Sequence, residues 1–207
     1  VILEASSHGL AQGRLDGIKY KAGIFTNFSL DHLDFHKNIK NYFNSKMILF
    51  NKLLNKNSYV ISDSKINHYK ILMKSIKNSQ KLIDINNQLY KNYNFKKNFN
   101  LKGNFQYKNL MMAIIAANIC GLSFKKINNV IKKIKPVNGR LELIKTLSNN
   151  AKIYIDYAHT PDALESVIRA LKENNNKKLS LVFGCGGERD KSKRKQMAII
   201  AKKYCNK

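Results

Sequence analysis

The stretch KIYIDYAHTPDALESVIRALKEN, residues 152–174, contains one complete strand–turn–helix unit. A short apolar run is followed by a polar turn, in which Thr160 can cap a helix and Pro161 suits its first position. The apolar residues that come next have the i, i+3, i+4, i+7 spacing of an amphipathic helix, and they are Leu164, Val167, Ile168 and Leu171. This unit predicts an α/β protein.

The same alternation of short apolar runs and helical patterns extends along the chain, which favours α/β units around a mainly parallel sheet. The predicted strands are Val1–Leu3, Ala22–Phe25, Tyr59–Ser62, Lys81–Ile85, Leu141–Thr146, Lys152–Ile155 and Leu179–Phe183. The predicted helices are Ile39–Leu54, Ile66–Ile76, Tyr107–Cys120, Phe124–Ile134, Pro161–Asn174 and Lys195–Tyr204. We expect a loop over 86–104 and a domain boundary near Pro136 to Gly139.

The composition, with 43% hydrophobic residues, is that of a globular protein with a packed core. No apolar stretch approaches the roughly 18 residues of a membrane span, and the N-terminus has no signal-peptide pattern. The three cysteines, Cys120, Cys185 and Cys205, lack CxxC spacing, which favours reduced thiols and a cytosolic location. Because the chain has no initiator Met and both ends fall within patterned segments, we expect an internal fragment.

The formal net charge of +25 is typical of proteins that bind nucleic acid or anionic membranes. The lysines are nevertheless interleaved with Asn and Ile along the chain, as in 52–57 and 91–100. A compositional bias with solvated lysines therefore stays open beside an electrostatic role. An anionic substrate would benefit from the positive field in either case.

The first polar motif, EASSHGLAQGR at 4–14, follows a predicted strand. Glu4 would lie at the carboxyl edge of the sheet, where open α/β sheets bind ligands, and its carboxylate could hold a hard cation. Ser6, Gln12 and Arg14 offer a hydroxyl, an amide and a guanidinium, a set suited to a carboxylated substrate. The alternative is a capped loop with a surface arginine.

The second motif, TNFSLDHLDFH at 26–36, also follows a predicted strand. His32 and His36 are four residues apart, which permits a zinc pair, but no cysteine lies near and no HExxH occurs. One histidine that completes an oxygen-rich magnesium site fits equally well. A polar loop with unliganded histidines is the alternative.

Lys46 borders the apolar face of a predicted helix, between Tyr42 and Phe50. Desolvation favours a neutral lysine amine, and a neutral amine can react with CO2 to form an anionic carbamate. The alternative is a lysine that extends its charged end to solvent.

Together these three segments resemble the Mur ligase family, whose members carry E-x-S-S-H-x-L-x-Q-x-R, then F-T-N-x-x-x-D-H-L-D-x-H, then a lysine. The resemblance implies that Glu4 and His32 help to bind Mg²⁺ and that Lys46 is carbamylated and organises a second metal. It further implies that these three residues converge at one rim of a single sheet. The implied contacts to a UDP-MurNAc-dipeptide are Ser6, Gln12 and Arg14.

Four later segments extend the resemblance. GNFQYKN at 103–109 is similar to G-x-F-N-x-x-N, with Gln106 in place of the usual Asn, and it implies Asn109 on the nucleotide side. GRLE at 139–142 implies that Arg140 meets ATP, and DYAHTPDA at 156–163 implies Asp156 at the ribose. FGCGGERDK at 183–191 implies that Arg189 pairs with a carboxylate of the incoming amino acid. Without the resemblance, these segments would indicate only turns and caps.

The resemblance implies an ATP-dependent amide ligase, nearest in its motifs to members that add the third amino acid to the UDP-MurNAc-dipeptide. Residues 1–138 would be the C-terminal part of a central ATP-binding domain, and 139–207 the start of a Rossmann-like amino-acid-binding domain. ATP and Mg²⁺ are the implied cofactors, and the dipeptide and a free amino acid the partners. We expect a monomer with no nucleic-acid or membrane partner.

Three further features depart from the family pattern. The chain has no G-x-x-x-x-G-K-[ST] phosphate loop and no D-N-P-R run, so we expect it to be inactive alone. Ser62-Asp63-Ser64-Lys65 replaces an N-x-D-D run. Three alternatives stay open: a sister ligase of the folylpolyglutamate or cyanophycin type, a basic nucleic-acid-binding protein, and an inactive product with a structural role.

Overall fold

The computed structural model describes residues 1–87, 101–172, 178–187 and 191–206. The chain divides into two compact units. Unit 1 comprises Val1–Phe28, His32–Asn94 and Lys108–Asn128, and unit 2 comprises Ser29–Asp31, Phe95–Tyr107 and Asn129–Lys207. Most of the predicted loop at 86–104 and the predicted substrate residue Arg189 lie outside the described residues.

Unit 1 contains a parallel sheet of three strands in the order β1-β2-β3. The strands are β1 (Tyr20–Phe25), β2 (Leu54–Ser62) and β3 (Lys81–Asp84). Ser62 pairs with both Phe25 and Asp84, so the three strands end level with one another. The predicted α/β fold with a parallel sheet is confirmed, and each of these strands overlaps a predicted one.

Before the second sheet, the described residues form these α-helices: α1 (Ser7–Ala11), α2 (Leu33–His36), α3 (Ile39–Ile48), α4 (Tyr69–Ser75), α5 (Asn104–Ile119) and α6 (Phe124–Ile131). The last turn of the predicted helix Ile39–Leu54 is a π-helix, Leu49–Leu53, that leads directly into β2. Gln80 Nε2 donates to the carbonyl oxygen of Phe50 at 2.7 Å, which satisfies an acceptor at this helix end.

The core of unit 1 lies between α3 and the first two strands. Its buried members are mainly aromatic and aliphatic, and they include Phe25, Phe28, Tyr42, Phe43, Met47, Phe50, Leu54, Val60 and Leu72. Gly23 of β1 permits a close approach, because an added Cβ would lie 3.0 Å from the ring of Phe50. None of the helices in the described ranges is long and apolar enough to cross a bilayer.

Unit 2 contains an antiparallel hairpin, β4 (Glu142–Thr146) and β5 (Lys152–Ile155). Several of its apolar side chains are solvent-exposed, namely Leu143, Ile144, Ile153 and Ile155. The helix α7 (Pro161–Lys172) follows, and it begins at the predicted residue, where Thr160 Oγ1 accepts from the N–H of Ala163 at 3.3 Å. It packs on α8 (Ser192–Tyr204) through Leu164, Ile168 and Met197.

Two predicted strands are wrong. Val1–Leu3 is exposed, and no strand pairs with it in the described part of the chain. Leu179–Phe183 is also unpaired among the described residues, although Leu179 and Leu181 pack against the α7–α8 pair. The backbone of Leu179 bonds with Asn206 instead: its N–H donates to Oδ1 of Asn206 at 3.0 Å, and its carbonyl oxygen accepts from the N–H of Asn206 at 2.8 Å. Apolar alternation shows that a segment is extended, but it does not supply a neighbouring strand.

Gly103 provides a test of this packing. It precedes α5 with φ +86°, and an added Cβ would lie 2.7 Å from Cβ of Ala170 and 2.9 Å from the ring of Phe105. We expect Gly103→Ala to lower the free energy of unfolding by about 2–4 kcal/mol, because backbone strain and overpacking add. Urea denaturation of the purified protein measures this change.

Gly139→Ala is the matched control, since Gly139 has φ +68° in the same unit but nothing within 4 Å of an added Cβ. This substitution should cost only the strain, about 1–2 kcal/mol. Equal losses for the two variants would contradict a steric role for Gly103.

Candidate active site

The predicted substrate residues surround α1. Ser6 Oγ accepts from the N–H of Gly9 at 3.1 Å and so caps the helix, whereas Gln12 ends it. The backbone N–H of Arg14 donates to the carbonyl oxygen of Gly9 at 2.9 Å. All three side chains, those of Ser6, Gln12 and Arg14, are exposed. They are therefore close in the chain, held by a short capped helix, and accessible from solvent.

A histidine cluster lies where α1, α2 and α3 meet. The ring centroid of His8 is 4.9 Å from that of His32 and 5.3 Å from that of His36. His36 is buried, and its Nε2 and Nδ1 lie 3.0 Å and 3.3 Å from the hydroxyl oxygens of Ser7 and Ser45. Since both of its ring nitrogens have hydroxyl partners, His36 anchors α2 to its neighbours rather than serving as a zinc ligand.

Burial lowers the pKa of His36 below its ordinary value of 6.5, and the charges of His8, His32 and Lys46 lower it further. The imidazole is consequently neutral at physiological pH. A neutral anchor adds no positive charge to a region that is expected to bind a cation.

His32 and Lys46 border the same aromatic ring. The centroid of the His32 ring is 5.6 Å from that of Tyr42, and Nζ of Lys46 is 5.2 Å from the Tyr42 centroid. Tyr42 and Lys46 lie one turn apart on α3, and His32 has a left-handed backbone (φ +57°) just before α2. Two of the three residues for which convergence was predicted thus border the Tyr42 ring.

Glu4, the third of these residues, is exposed in the segment before α1, and hydrogen bonds and ion pairs within the described ranges do not involve it. In the same ranges, no three His, Cys, Asp or Glu side chains are gathered into a potential metal centre. The implied donor set has only two residues of those types, Glu4 and His32, beside a modified Lys46. Carboxylate and carbamate oxygens are of the kind that Mg²⁺ prefers, so these donors fit the ion chemically. The convergence of all three residues stays a prediction.

A buried carboxylate at the carboxyl edge of the sheet was not predicted from the sequence. Asp63 follows β2 and is fully buried. Its Oδ1 accepts from the backbone N–H of Lys65 at 2.8 Å and from Nδ2 of Asn86 at 2.7 Å, and its Oδ2 lies 2.5 Å from Nζ of Lys108. Lys108 lies in α5 beside Asn109, the predicted nucleotide contact, whose side chain is exposed.

Burial alone would raise the pKa of Asp63, but hydrogen bonds from Lys108, Lys65 and Asn86 outweigh it and hold the pKa below the usual 3.8. The ion pair joins the edge of the sheet to the helix that carries Asn109. A polar run directly after a β-rich segment, Ser62 to Lys65, was the available signal for it.

In unit 2, the hairpin brings the predicted ATP residues Arg140 and Asp156 together. Glu142 pairs with Ile155, so the residues before β4 face those after β5. Asp156 accepts from the N–H of Leu141 at 2.7 Å and from the N–H of Ala158 at 2.8 Å. The guanidinium of Arg140 lies over the ring of Tyr157, 4.8 Å from its centroid.

Another buried carboxylate, which lies in unit 2, was also not predicted from the sequence. Asp31 lies 3.3 Å from Nζ of the buried Lys193 and 3.3 Å from Nε2 of His159. The glycine-rich segment at 184–187 is held by Arg194, whose Nη2 donates to the carbonyl oxygens of Gly186 at 2.9 Å and Gly187 at 2.7 Å.

Two profiles of known protein families match the chain. A family profile described as "Mur ligase middle domain" matches residues 1–117, and one described as "Mur ligase, glutamate ligase domain" matches residues 139–207. The chain belongs to the Mur ligase family.

Within that family, the chain is similar to ligases that all have the same name. It is 38% identical over 227 residues to the UDP-N-acetylmuramoyl-L-alanyl-D-glutamate--2,6-diaminopimelate ligase of Leptospira interrogans serogroup Icterohaemorrhagiae serovar copenhageni (strain Fiocruz L1-130), covering 97% of this chain and 45% of that protein. It is 40% identical over 225 residues to the same-named ligase of Rickettsia conorii (strain ATCC VR-613 / Malish 7), covering 98% of this chain and 46% of that protein.

A solved structure named as a UDP-N-acetylmuramoyl-L-alanyl-D-glutamate--2,6-diaminopimelate ligase matches with a TM-score of 0.63 at 29% identity. The match covers 99% of this chain and 46% of that chain. The chain therefore spans just under half the length of the relatives that it matches.

The Asp63–Lys108 pair gives a test of the sheet edge. We expect Lys108→Met to lower the free energy of unfolding by about 3 kcal/mol at pH 7, because it leaves a buried carboxylate without its cation. This is the lower end for a broken buried pair, since the Lys108 side chain is 31% exposed. The double variant Asp63→Asn/Lys108→Met should recover most of the lost stability. The control Lys70→Met, an exposed change on α4, should alter the free energy of unfolding by less than about 0.5 kcal/mol.

The pH dependence follows from the lowered pKa of Asp63. A depressed folded pKa contributes stability that is present above the unfolded value of 3.8 and is lost as the pH falls through the folded value. The difference between the unsubstituted protein and Lys108→Met should therefore narrow below about pH 4 in urea titrations. A difference that does not change with pH would contradict an ion pair at this position.

Proposed function

We propose that this chain forms part of an ATP-dependent amide ligase that adds the third amino acid to UDP-MurNAc-L-Ala-D-Glu in the synthesis of the peptidoglycan precursor. Residues 1–138 are the C-terminal part of its central ATP-binding domain. Residues 139–207 are the first part of its C-terminal amino-acid-binding domain. The observation that supports this proposal most strongly is the 38–40% identity, over 97–98% of the chain, to ligases named UDP-N-acetylmuramoyl-L-alanyl-D-glutamate--2,6-diaminopimelate ligase.

The reaction proceeds in two balanced steps. The terminal phosphoryl group of ATP is transferred to a carboxylate oxygen of the dipeptide, which yields an acyl phosphate and ADP. The amino group of the third amino acid then attacks the acyl carbon, loses a proton and forms the amide bond as phosphate leaves. The protein must hold two strongly anionic reactants and a zwitterionic amino acid together, so positioning and charge provide much of the catalysis.

Each predicted site residue has a place in this scheme. Ser6, Gln12 and Arg14 hold the UDP-MurNAc-dipeptide, and Asn109, Arg140 and Asp156 hold ATP. Glu4 and His32 hold Mg²⁺, carbamylated Lys46 organises the second ion, and Arg189 binds the carboxylate of the incoming amino acid. When bound, Mg²⁺ supplies positive charge against the phosphate oxygens. The position of Lys46 and His32 around one ring supports a shared role for these two.

The third amino acid is 2,6-diaminopimelate in this proposal. This choice is based on the relatives, which are named as 2,6-diaminopimelate ligases. The expectation of a cytoplasmic monomer with no nucleic-acid or membrane partner stays a prediction. A strongly positive chain favours the binding of anionic substrates.

The proposal predicts a specific substrate pattern for the full-length protein. With UDP-MurNAc-L-Ala-D-Glu, ATP and Mg²⁺, diaminopimelate should give a new amide and one phosphate per product. Lysine lacks the second carboxylate, so its kcat/KM should be lower by at least about 100-fold. Phosphate release and product mass measure both reactions.

Two further assays on the same preparation test the rival functions. One offers folate and glutamate as substrates for ligation, and the other measures nucleic-acid binding at increasing salt concentrations. Ligation of glutamate to folate, or binding of nucleic acid that weakens steeply with salt without any ligase activity, would overturn the proposal.

The role of Lys46 has its own test. Lys46→Met keeps the apolar stem but removes the amine that forms a carbamate, so kcat should fall by at least about 100-fold. Lys40→Met, an exposed change on the same helix, should leave kcat within about threefold. In ¹³C-bicarbonate, the unsubstituted protein should show a carbamate NMR signal that Lys46→Met lacks. Full activity of Lys46→Met would refute this role.

A further inference from the structure

The turn at 139–142 has a backbone that its sequence does not favour. Leu141 has φ +50° and Gly139 has φ +68°, so two of its four residues are left-handed. This conformation is disfavoured for leucine and persists only where neighbouring groups impose it. The buried Leu141 side chain and several hydrogen bonds provide that constraint. Arg140 lies between these two residues.

Polar contacts hold this turn from three directions. The carboxylate of Asp156 accepts from the N–H of Leu141 at 2.7 Å, and that of Glu142 accepts from the N–H of Gly139 at 2.6 Å. Nε2 of Gln106 donates to the carbonyl oxygen of Arg140 at 3.5 Å. The backbone of Arg140 is therefore fixed before any ligand arrives. This also gives Asp156 a part in shaping the turn, besides its predicted contact with the ribose.

The Arg140 side chain is held in a different way. Its guanidinium carbon lies 4.8 Å from the centroid of the Tyr157 ring, within the range of a cation–π contact. In the described part of the chain, no hydrogen-bond acceptor takes up its N–H groups. A guanidinium that lies over a ring without hydrogen bonding to it keeps its N–H donors available to pair with phosphate oxygens.

We infer that Tyr157 is a positioning residue for ATP binding, which acts by holding the guanidinium of Arg140 ready for the phosphates. The inference rests on the proposed function, in which Arg140 contacts ATP. Both side chains are exposed, with Tyr157 at 64%, so the ring is not needed for the core. Without it, a long arginine side chain would have to lose its rotamer freedom when ATP binds.

Steady-state kinetics of the full-length protein test this inference. Tyr157→Leu removes the aromatic face and should raise the KM for ATP about three- to fivefold, the size of an exposed cation–π contact, with kcat within about twofold. Tyr157→Phe and Tyr157→Trp keep an aromatic face and should restore a KM within about twofold of the original. A purely structural role would not follow this order of ring types.

Tyr154 is the matched control, because it lies near Tyr157 and also has a cation, Lys102, over its ring at 4.7 Å. Tyr154→Leu should leave the KM for ATP unchanged. Arg140→Ala should raise this KM, and Arg140→Ala/Tyr157→Leu should raise it no further, because the ring acts only through the guanidinium.

Two outcomes would overturn this inference while leaving the proposed function intact. In the first, Arg140→Ala raises the KM for ATP but Tyr157→Leu does not. In the second, the increases in KM caused by the two substitutions multiply in the double variant. If the unsubstituted protein shows no ATP-dependent ligation, the proposed function fails and this inference fails with it. The two failures are therefore distinguishable in one set of assays.

Discussion

The packing of α3, and of the π-helix Leu49–Leu53 that follows it, against β1 and β2 determines where the candidate site lies. The ring of Phe50 approaches β1 closely because Gly23 has no side chain, and the buried Phe43 and Met47 fix which face of the helix meets the sheet. Tyr42 and Lys46 then lie at the border of that face, one turn apart. The location of a polar site is thus decided by apolar packing on the opposite side of its helix. A shift of α3 by one residue would move Lys46 away from His32.

Features that depend on neighbouring residues could be predicted from the sequence. α7 begins at Pro161 because a capping Thr160 and a proline suit the first turn, and its apolar stripe is buried where Leu164 and Ile168 lie. β2 ends at Ser62 as predicted, since a polar run follows an apolar one there. The motifs gave the correct family for the same reason. Each is a short contiguous run of residues that can be recognised without knowing any tertiary contact.

Features that depend on distant residues could not be predicted in this way. Leu179–Phe183 has the composition of a strand, but pairing requires a neighbour, and Asn206 takes its place at Leu179. Asp63 and Lys108 are far apart in the chain and lie in separate segments that give no sign of each other, so only the folded chain reveals their ion pair. Asp156 shows a subtler limit. The sequence predicted a ligand contact, whereas its two hydrogen bonds to backbone N–H groups depend on the register of the β4–β5 hairpin.

The exposed apolar side chains of that hairpin affect how the protein can be handled. Leu143 and Ile144 on β4, with Ile153 and Ile155 on β5, face solvent, and each strand has one edge without a partner in the described ranges. Unpaired strand edges beside an exposed apolar surface favour association between molecules. Residues 139–207 expressed as a separate piece would therefore tend to self-associate and precipitate, so truncation at this boundary is a poor route to crystals or NMR samples.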